Sequence, residues 1–213
     1  MSVAVVDTRG RLRGRDAGRR YVSASVVKAL LLVSELRRLE RDALALDPAT
    51  HALLTAMIVH SDNDSADAVY MRVGDPGLLA VAKDAGMRRF SVDGHWANAQ
   101  VTAADLARFF SRVRELLPRR HRRAGLRLLA SIEREQSWGV PRAAGDRWRV
   151  HFKGGWRETG RGELVHQAAW LRGGGRKLAI AILTDAQPSR PYGIHTVRGI
   201  ADRLLGRSQA AAR

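Results

Sequence analysis

The spacing of apolar residues changes twice along the chain. Ser2-Val3-Ala4-Val5-Val6-Asp7 reads as a strand, and Thr8-Arg9-Gly10 as a turn into a second short one. From Ser25 to about Glu40 the residues Val26, Val27, Leu30, Leu31, Val33 and Leu36 recur at helical spacing. The first two turns are apolar nearly all round, which predicts a buried central helix. Asp47-Pro48 opens another helix, Ala49 to about Val59, with Asp as N-cap and Pro at the first position. Ser61-Asp62-Asn63-Asp64 breaks it. Helical spacing returns over Ser65 to Val73, from Asp75-Pro76 to near Gly86, from Thr102 to Leu117, and from about Arg122 to Glu135.

The pattern then turns β-like. Trp148 to Phe152, Glu163 to Leu171 and Lys177 to Thr184 are separated by Gly-rich turns at Lys153-Gly154-Gly155 and Gly173-Gly174-Gly175, predicting an antiparallel meander. A last amphipathic helix is expected from about Ile194 to Leu205, and a frayed tail from Gly206 to Arg213. This order predicts an α+β fold. Its antiparallel sheet is formed by the N- and C-terminal segments with flanking helices, and an all-helical lobe is inserted. One domain over 1–213 is expected, with an α/β lobe from 1–24 and 140–213 and a helical lobe from 25–139. A site is expected at the seam between the lobes, where pockets prefer to form.

Composition narrows the function classes. With 45% apolar and 27% charged residues, the 213-residue chain is of globular type, which excludes disorder and collagen-like repeats. The longest aliphatic run, Leu178 to Leu183, falls far short of the roughly 20 residues that cross a bilayer, so no membrane span is expected. Met1 to Arg20 shows no apolar core of signal-peptide length, leaving either a cytosolic protein or a chain without its leader. The absence of Cys rules out disulfides, thiolate-held zinc and cysteine nucleophiles. No cofactor is expected.

The net charge of +16 raises the question of nucleic acid. The Arg residues are spread along the chain, with local clusters at Arg119-Arg120-His121-Arg122-Arg123 and near the N-terminus. No helix-turn-helix, RNA-binding or zinc signature accompanies them, which argues against nucleic-acid binding as the main role. Lysine is confined to Lys28, Lys83, Lys153 and Lys177. Arg stays charged at any working pH, whereas Lys can be desolvated into a neutral base, so each retained Lys invites a chemical reading.

Ser25-Val26-Val27-Lys28 puts a hydroxyl and an amine on one face at a helix start. There, free backbone N–H groups favour an oxyanion, and a Lys among Val and Leu could take the Ser proton. An N-cap Ser followed by a snorkelling Lys would look the same. Ser61-Asp62-Asn63 offers a second hydroxyl to relay a proton and an amide to orient Lys28, or simply a turn held by Asx hydrogen bonds. Lys153-Gly154-Gly155 would let a substrate backbone approach closely, or make a plain hairpin turn with an exposed Lys.

In this order, Ser-x-x-Lys, Ser-Asp-Asn and Lys-x-Gly resemble the class A β-lactamase and penicillin-binding-protein superfamily of serine acyl-transfer enzymes. The resemblance covers nearly the whole chain, from the opening strand into Asp7-Thr8-Arg9-Gly10, through the helix start Val101-Thr102-Ala103-Ala104-Asp105, to the closing Leu178 to Thr184 strand. Gln136-Ser137-Trp138-Gly139 ahead of Lys153-Gly154-Gly155-Trp156 is similar to β-lactamase-related serine hydrolases of high-GC bacteria.

The resemblance implies Ser25 as acylated nucleophile, Lys28 as its base, Ser61 as proton relay, Asn63 as a holder of Lys28 or substrate, and Lys153 as a source of positive field near Ser61. It implies an oxyanion hole from the backbone N–H groups of Ser25 and Trp156, and substrate contacts at Gly154, Gly155 and Trp156. The implied partner is a small-molecule or peptide substrate with an amide or ester bond, such as a β-lactam or a cell-wall D,D-peptide. The family's usual location is secreted or cell-envelope.

The departures carry expectations too. No Glu occurs between Asp64 and Arg114, and Ser91 to Asn98 is too short for the acidic loop that activates the deacylating water in the family; Asp93 or His95 would have to stand in. Gly154 replaces the family's usual hydroxyl residue, and the block between Ser25 and Ser61 is short. Arg157, Arg161 and His166 are candidates for a substrate carboxylate, or ordinary surface residues. Acylation is expected to be intact and deacylation impaired. The alternative is a catalytically degenerate binding or interaction protein on the same fold.

Overall fold

Alternation in the opening segment buries Ala4 and Val6, and this segment pairs with the far end of the chain. The computed structural model describes residues 1–210. Strand β1 (Ser2–Val6) lies between β2 (Leu12–Arg15) and β7 (Arg176–Gln187), running antiparallel to both. With β5 (Arg149–Thr159) and β6 (Gly162–Gly173) the sheet has the order β2-β1-β7-β6-β5, so both chain ends build it, as the element order implies. A second, two-stranded sheet pairs β3 (Arg20–Val22) with β4 (Gln100–Thr102).

Helix α1 (Lys28–Arg41) is the hub of the helical part, and Leu30, Leu31, Leu32, Val33 and Leu36 are fully buried. Their burial stabilises by roughly 1.5–3 kcal/mol each, the main reason an apolar-all-round helix sits at the centre. α1 also buries Glu35, whose carboxylate accepts from Arg38 Nε at 2.7 Å and Nη2 at 2.8 Å, and from Arg72 Nη1 at 3.1 Å. Around α1 stand α2 (Pro48–Thr55), α3 (Asn63–Ala85), α4 (Ala103–Leu116) and α5 (Arg122–Ala130). Short α6 (Val140–Ala144) precedes the meander, and α7 (Arg190–Ala210) closes the chain. Among the described residues no helix is long and apolar enough to cross a membrane.

Several boundaries differ from the sequence expectation. The two helices expected after Ser65 form one kinked α3, broken at Gly74 (φ 58°), a backbone conformation that suits Gly, two residues before Pro76. The helix expected from Arg122 to Glu135 stops at Ala130. Beyond it the Glu133 N–H donates to the Val59 carbonyl at 3.3 Å, a tertiary bond replacing the helical one, and a single 3₁₀ turn follows at Arg134–Gln136. α7 runs on to Ala210, and the rest of the expected frayed tail lies outside the described residues.

Lys153-Gly154-Gly155 is not a turn. It lies inside β5, paired with Ala168, Gln167 and His166 of β6. Glycine in a strand interior marks close approach of another backbone as readily as it marks a turn, and here the backbone at Ser25 and Val26, just ahead of α1, approaches Gly155.

Candidate active site

The stretch before α1 does not begin as an α-helix. Ala24–Val27 form one 3₁₀ turn, in which residues three apart eclipse, so Ser25 and Lys28 share one side. Ala24 is held at φ 45°, left-handed for a non-glycine residue and worth about 1–3 kcal/mol of strain. The turn is pinned by the Ser23 N–H donating to Ala99 O at 2.8 Å and by burial of Ala24. Against it lies Gly155, where an added Cβ would stand 2.8 Å from both Ser25 N and Val26 N. Strand β5 can meet the half-buried Ser25 this closely only because position 155 has no side chain.

Lys28 is fully buried, and its Nζ donates to Ser61 O at 2.5 Å, Asp62 O at 3.0 Å and Asn63 Oδ1 at 2.8 Å. Those acceptors converge because Ala56–His60 winds as a wide π turn and Ser61 ends it in left-handed geometry (φ 62°, ψ 30°). Asp62 then caps α3, accepting from Ser65 N at 2.7 Å. Hydrogen bonds from the Ser65 side chain and backbone hold the Asp62 carboxyl below its usual range. Lys153, also fully buried, reaches the other side of Ser61, with Nζ 3.0 Å from Ser61 Oγ and 3.2 Å from Gly154 O.

Two buried amines on either side of one serine repel each other's protons. Burial, and after it the Lys28 charge, lowers Lys153 from 10.5 to about 7 against the pull of the Glu133 carboxylate. Burial lowers Lys28 to about 8, against the pull of Asp62 and Asp67. Near neutral pH the pair therefore readily gives up a proton, and the two titrate together.

The sequence offers no obvious pointer to two further neighbours. The Trp96 ring centroid lies 4.9 Å from Lys28 Nζ, its Nε1 donates to Asp67 Oδ1 at 2.6 Å, and His95 stacks on it at 5.5 Å. Glu133 accepts from Gln136 Nε2 at 2.5 Å and pairs with His60 Nδ1 at 2.8 Å, and its charge acts on Lys153. A lone Trp in a short loop and a Glu after a helix end carry no periodic or spacing signal. Only folding brings them to the lysines.

The substrate-side expectations divide. Trp156 is half-buried beside Trp138, with the Arg190 guanidinium 3.8 Å from its ring centroid. Gly154 lies under Trp138, where a Cβ would stand 3.3 Å from the ring. His166 is not a substrate ligand: it is fully buried, its Nε2 bonded to Val22 O at 3.1 Å and its Nδ1 accepting from Thr184 N at 3.3 Å. Burial lowers it to about 4, so it is neutral. Arg157 is exposed and donates to Asn98 at 3.3 Å, Arg161 is exposed, and Lys83 and Lys177 are surface residues. Asp93 and His95 are exposed, with His95 Nε2 3.5 Å from Asp67. A cavity of about 910 Å³ lined by Asp7, Met87, Arg108 and Trp170 involves none of Ser25, Lys28, Ser61 or Lys153. Among the described residues no three His, Asp or Glu gather closely enough to hold a metal ion.

Comparison with known families settles the class. The model of the Beta-lactamase enzyme family matches residues 48–207. The chain belongs to the Beta-lactamase enzyme family. Solved structures similar to this β-lactamase-family protein include a β-lactamase from Sphaerobacter thermophilus, with a TM-score of 0.85 and 19% identity over 98% of this chain and 91% of that one. One from Burkholderia vietnamiensis has a TM-score of 0.84 and 20% identity, covering 98% of this chain and 90% of that one. One from Xanthomonas campestris has a TM-score of 0.79 and 18% identity, covering 94% and 89%. At such identities these likenesses show the fold alone. No curated protein matches the chain in sequence. The family places the protein among hydrolases of β-lactamase type, and the α+β fold, helices with an antiparallel sheet, agrees.

Proposed function

We propose that this protein acylates Ser25 on an amide or ester substrate of the β-lactam or D,D-peptide type and releases the acyl group slowly. The observation that carries the reading is Ser61 held between two buried, pKa-lowered lysines, one of them a turn away from Ser25. In its neutral form Lys28 takes the proton of Ser25 Oγ as Oγ bonds to the substrate carbonyl carbon. The tetrahedral oxyanion is received by the backbone N–H groups of Ser25 and Trp156. The carbon–nitrogen or carbon–oxygen bond then breaks, Ser61 Oγ–H protonates the leaving atom, and Ser61 regains its proton from the lysine pair. Asn63 keeps Lys28 in register, and Gly154, Gly155 and Trp156 line the substrate's path along β5.

Slow release rests on what surrounds Lys28. The Asp64–Arg114 segment holds no Glu to activate a water, and its loop packs the buried Trp96 ring 4.9 Å from Lys28 Nζ. A chromogenic cephalosporin tests both halves. A burst of one product per enzyme followed by a stall is expected. Fast steady turnover would overturn slow release. Absence of both burst and covalent label would overturn the acylation itself, leaving the fold as a binding module.

A further inference from the structure

The Arg residues of this chain are mostly paired where they meet acids: Arg11 with Asp7, Arg37 with Asp84, Arg38 with Glu35, Arg198 with Asp202. At the end of the sheet remote from Ser25 the pattern reverses. Arg149 of β5 stands directly opposite Arg172 of β6, and Arg172 directly opposite Lys177 of β7. Like charges directly opposed across strands are destabilising, so this three-strand cationic row weakens the sheet it sits on.

Beside the row is a cavity of about 500 Å³ between the sheet and α5, lined by residues including Arg114, Arg122, Arg127, Arg149, His151 and Arg172, with no Asp or Glu. A second cavity, about 570 Å³, shares Arg114, Arg149 and Arg172, adds Lys177, and again has no carboxylate in its lining.

Two of the first cavity's lining residues each carry a buried polar atom with no hydrogen-bond partner. His151 is only 3% exposed, yet its Nδ1 has no hydrogen bond; Arg122 donates through Nη2 to Leu117 O at 3.1 Å, while its buried Nε has none. A buried polar atom left unpaired costs about 1–3 kcal/mol. Burial, reinforced by Arg149 and Arg172 against a bond to the Trp170 backbone, keeps His151 neutral, with a pKa of about 4, so its ring can serve as an uncharged partner among charged ones.

We propose that the Arg149–Arg172 row, Arg122, Arg127 and His151 form a site for an anion carrying two or more phosphate groups. Phosphate suits the set because guanidinium forks bind its oxygens in pairs, and a multiply charged anion relieves the whole row at once. The site shares no residue with the Ser25 cluster, so it stands or falls independently of the acylation reading.

Calorimetric titration of the full chain with inorganic tripolyphosphate tests it, using wild type, Arg149→Gln/Arg172→Gln and Arg122→Gln/Arg127→Gln. Wild type should bind at near-physiological ionic strength, more weakly as salt rises. Each double variant should bind at least about tenfold more weakly. Without ligand, Arg149→Gln/Arg172→Gln should melt no lower than wild type, because the opposed charges are gone. A short oligothymidylate added to the tripolyphosphate complex separates two sources of the same chemistry: displacement means the site accepts polymeric phosphodiester, and no displacement means it takes compact polyphosphates. Wild-type affinity in both double variants, or no binding by wild type at near-physiological ionic strength, would overturn the proposal.

Discussion

The side-chain nitrogen of Lys28 lies 4.9 Å from the centroid of the Trp96 ring. The face of an indole stabilises a cation, so Trp96 partly offsets the burial that lowers Lys28, and holds the lysine nearer its charged form than burial alone would. Trp96 in turn is anchored by Asp67, whose Oδ1 accepts the indole N–H at 2.6 Å. The role proposed for Lys28 requires it to shed its proton, and the aromatic neighbour restrains the loss.

Removing that restraint should change the pH dependence of acylation. Cation–π contacts contribute about 0.5–2 kcal/mol, and one pH unit corresponds to about 1.4 kcal/mol. In Trp96→Leu, which keeps the position apolar, the charged form of Lys28 loses support and its pKa falls. The rising limb of acylation against pH should therefore move about one unit lower. Stopped-flow labelling with a fluorescent penicillin reads the limb. A limb that stays in place or moves higher contradicts the role given to Trp96.

Gly155 and Gly154 are neighbours in sequence with opposite tolerances. An added Cβ at 155 meets backbone nitrogens of Ser25 and Val26 at 2.8 Å, and backbone cannot swing aside. At 154 the nearest atoms belong to the Trp138 ring at 3.3 Å, which needs to give by only a few tenths of an ångström. Gly155→Ala should slow acylation by roughly 10²-fold through misplacement of the nucleophile turn, whereas Gly154→Ala should stay within several-fold of wild type. Labelling rates measured beside melting curves decide it, and equal effects at both positions would remove Gly155 from the argument.

This pair also shows how far the sequence could be read. The strand-helix-strand order, the sheet built from both chain ends and the buried α1 all follow from apolar spacing, because burial of Leu30 to Leu36, of the alternate residues of β1 and of the continuous Leu178 to Leu183 run of β7 dominates the energy. The short motifs carrying Lys28, Ser61, Asn63 and Lys153 do lie within hydrogen-bond reach of one another. Local glycine content misleads at 153–155, since what presses on Gly155 is the turn ahead of α1 and on Gly154 the Trp138 ring, both from elsewhere in the chain. Trp96 and Glu133 are invisible for the same reason: the ring packed on Lys28 and the charge acting on Lys153 both come together only in the fold, and no local pattern encodes them.

Burial of two lysines also predicts a pH dependence of stability. Both have folded-state values below the ordinary 10.5, about 8 and about 7, so between about pH 7 and pH 10.5 the unfolded chain binds more protons than the folded one. Stability should therefore rise with pH through that window, and the cost of burying the charged forms is fully present below it. Chemical denaturation across the window should show a flatter rise in Lys153→Met than in wild type. An identical slope in the two proteins would mean that Lys153 is not protonated differently in the folded and unfolded states.

The central claim is that Ser25 is the acylated residue and Lys28 the group that frees its oxygen. Peptide mapping by mass spectrometry after incubation with a fluorescent penicillin or a fluorophosphonate tests it most directly, with Ser25→Ala and Lys28→Arg run alongside. The account predicts a single adduct on Ser25, none in Ser25→Ala, and almost none in Lys28→Arg, because a guanidinium cannot give up its proton at working pH. An adduct that maps to another residue, or that forms in Lys28→Arg at the wild-type rate, would contradict it.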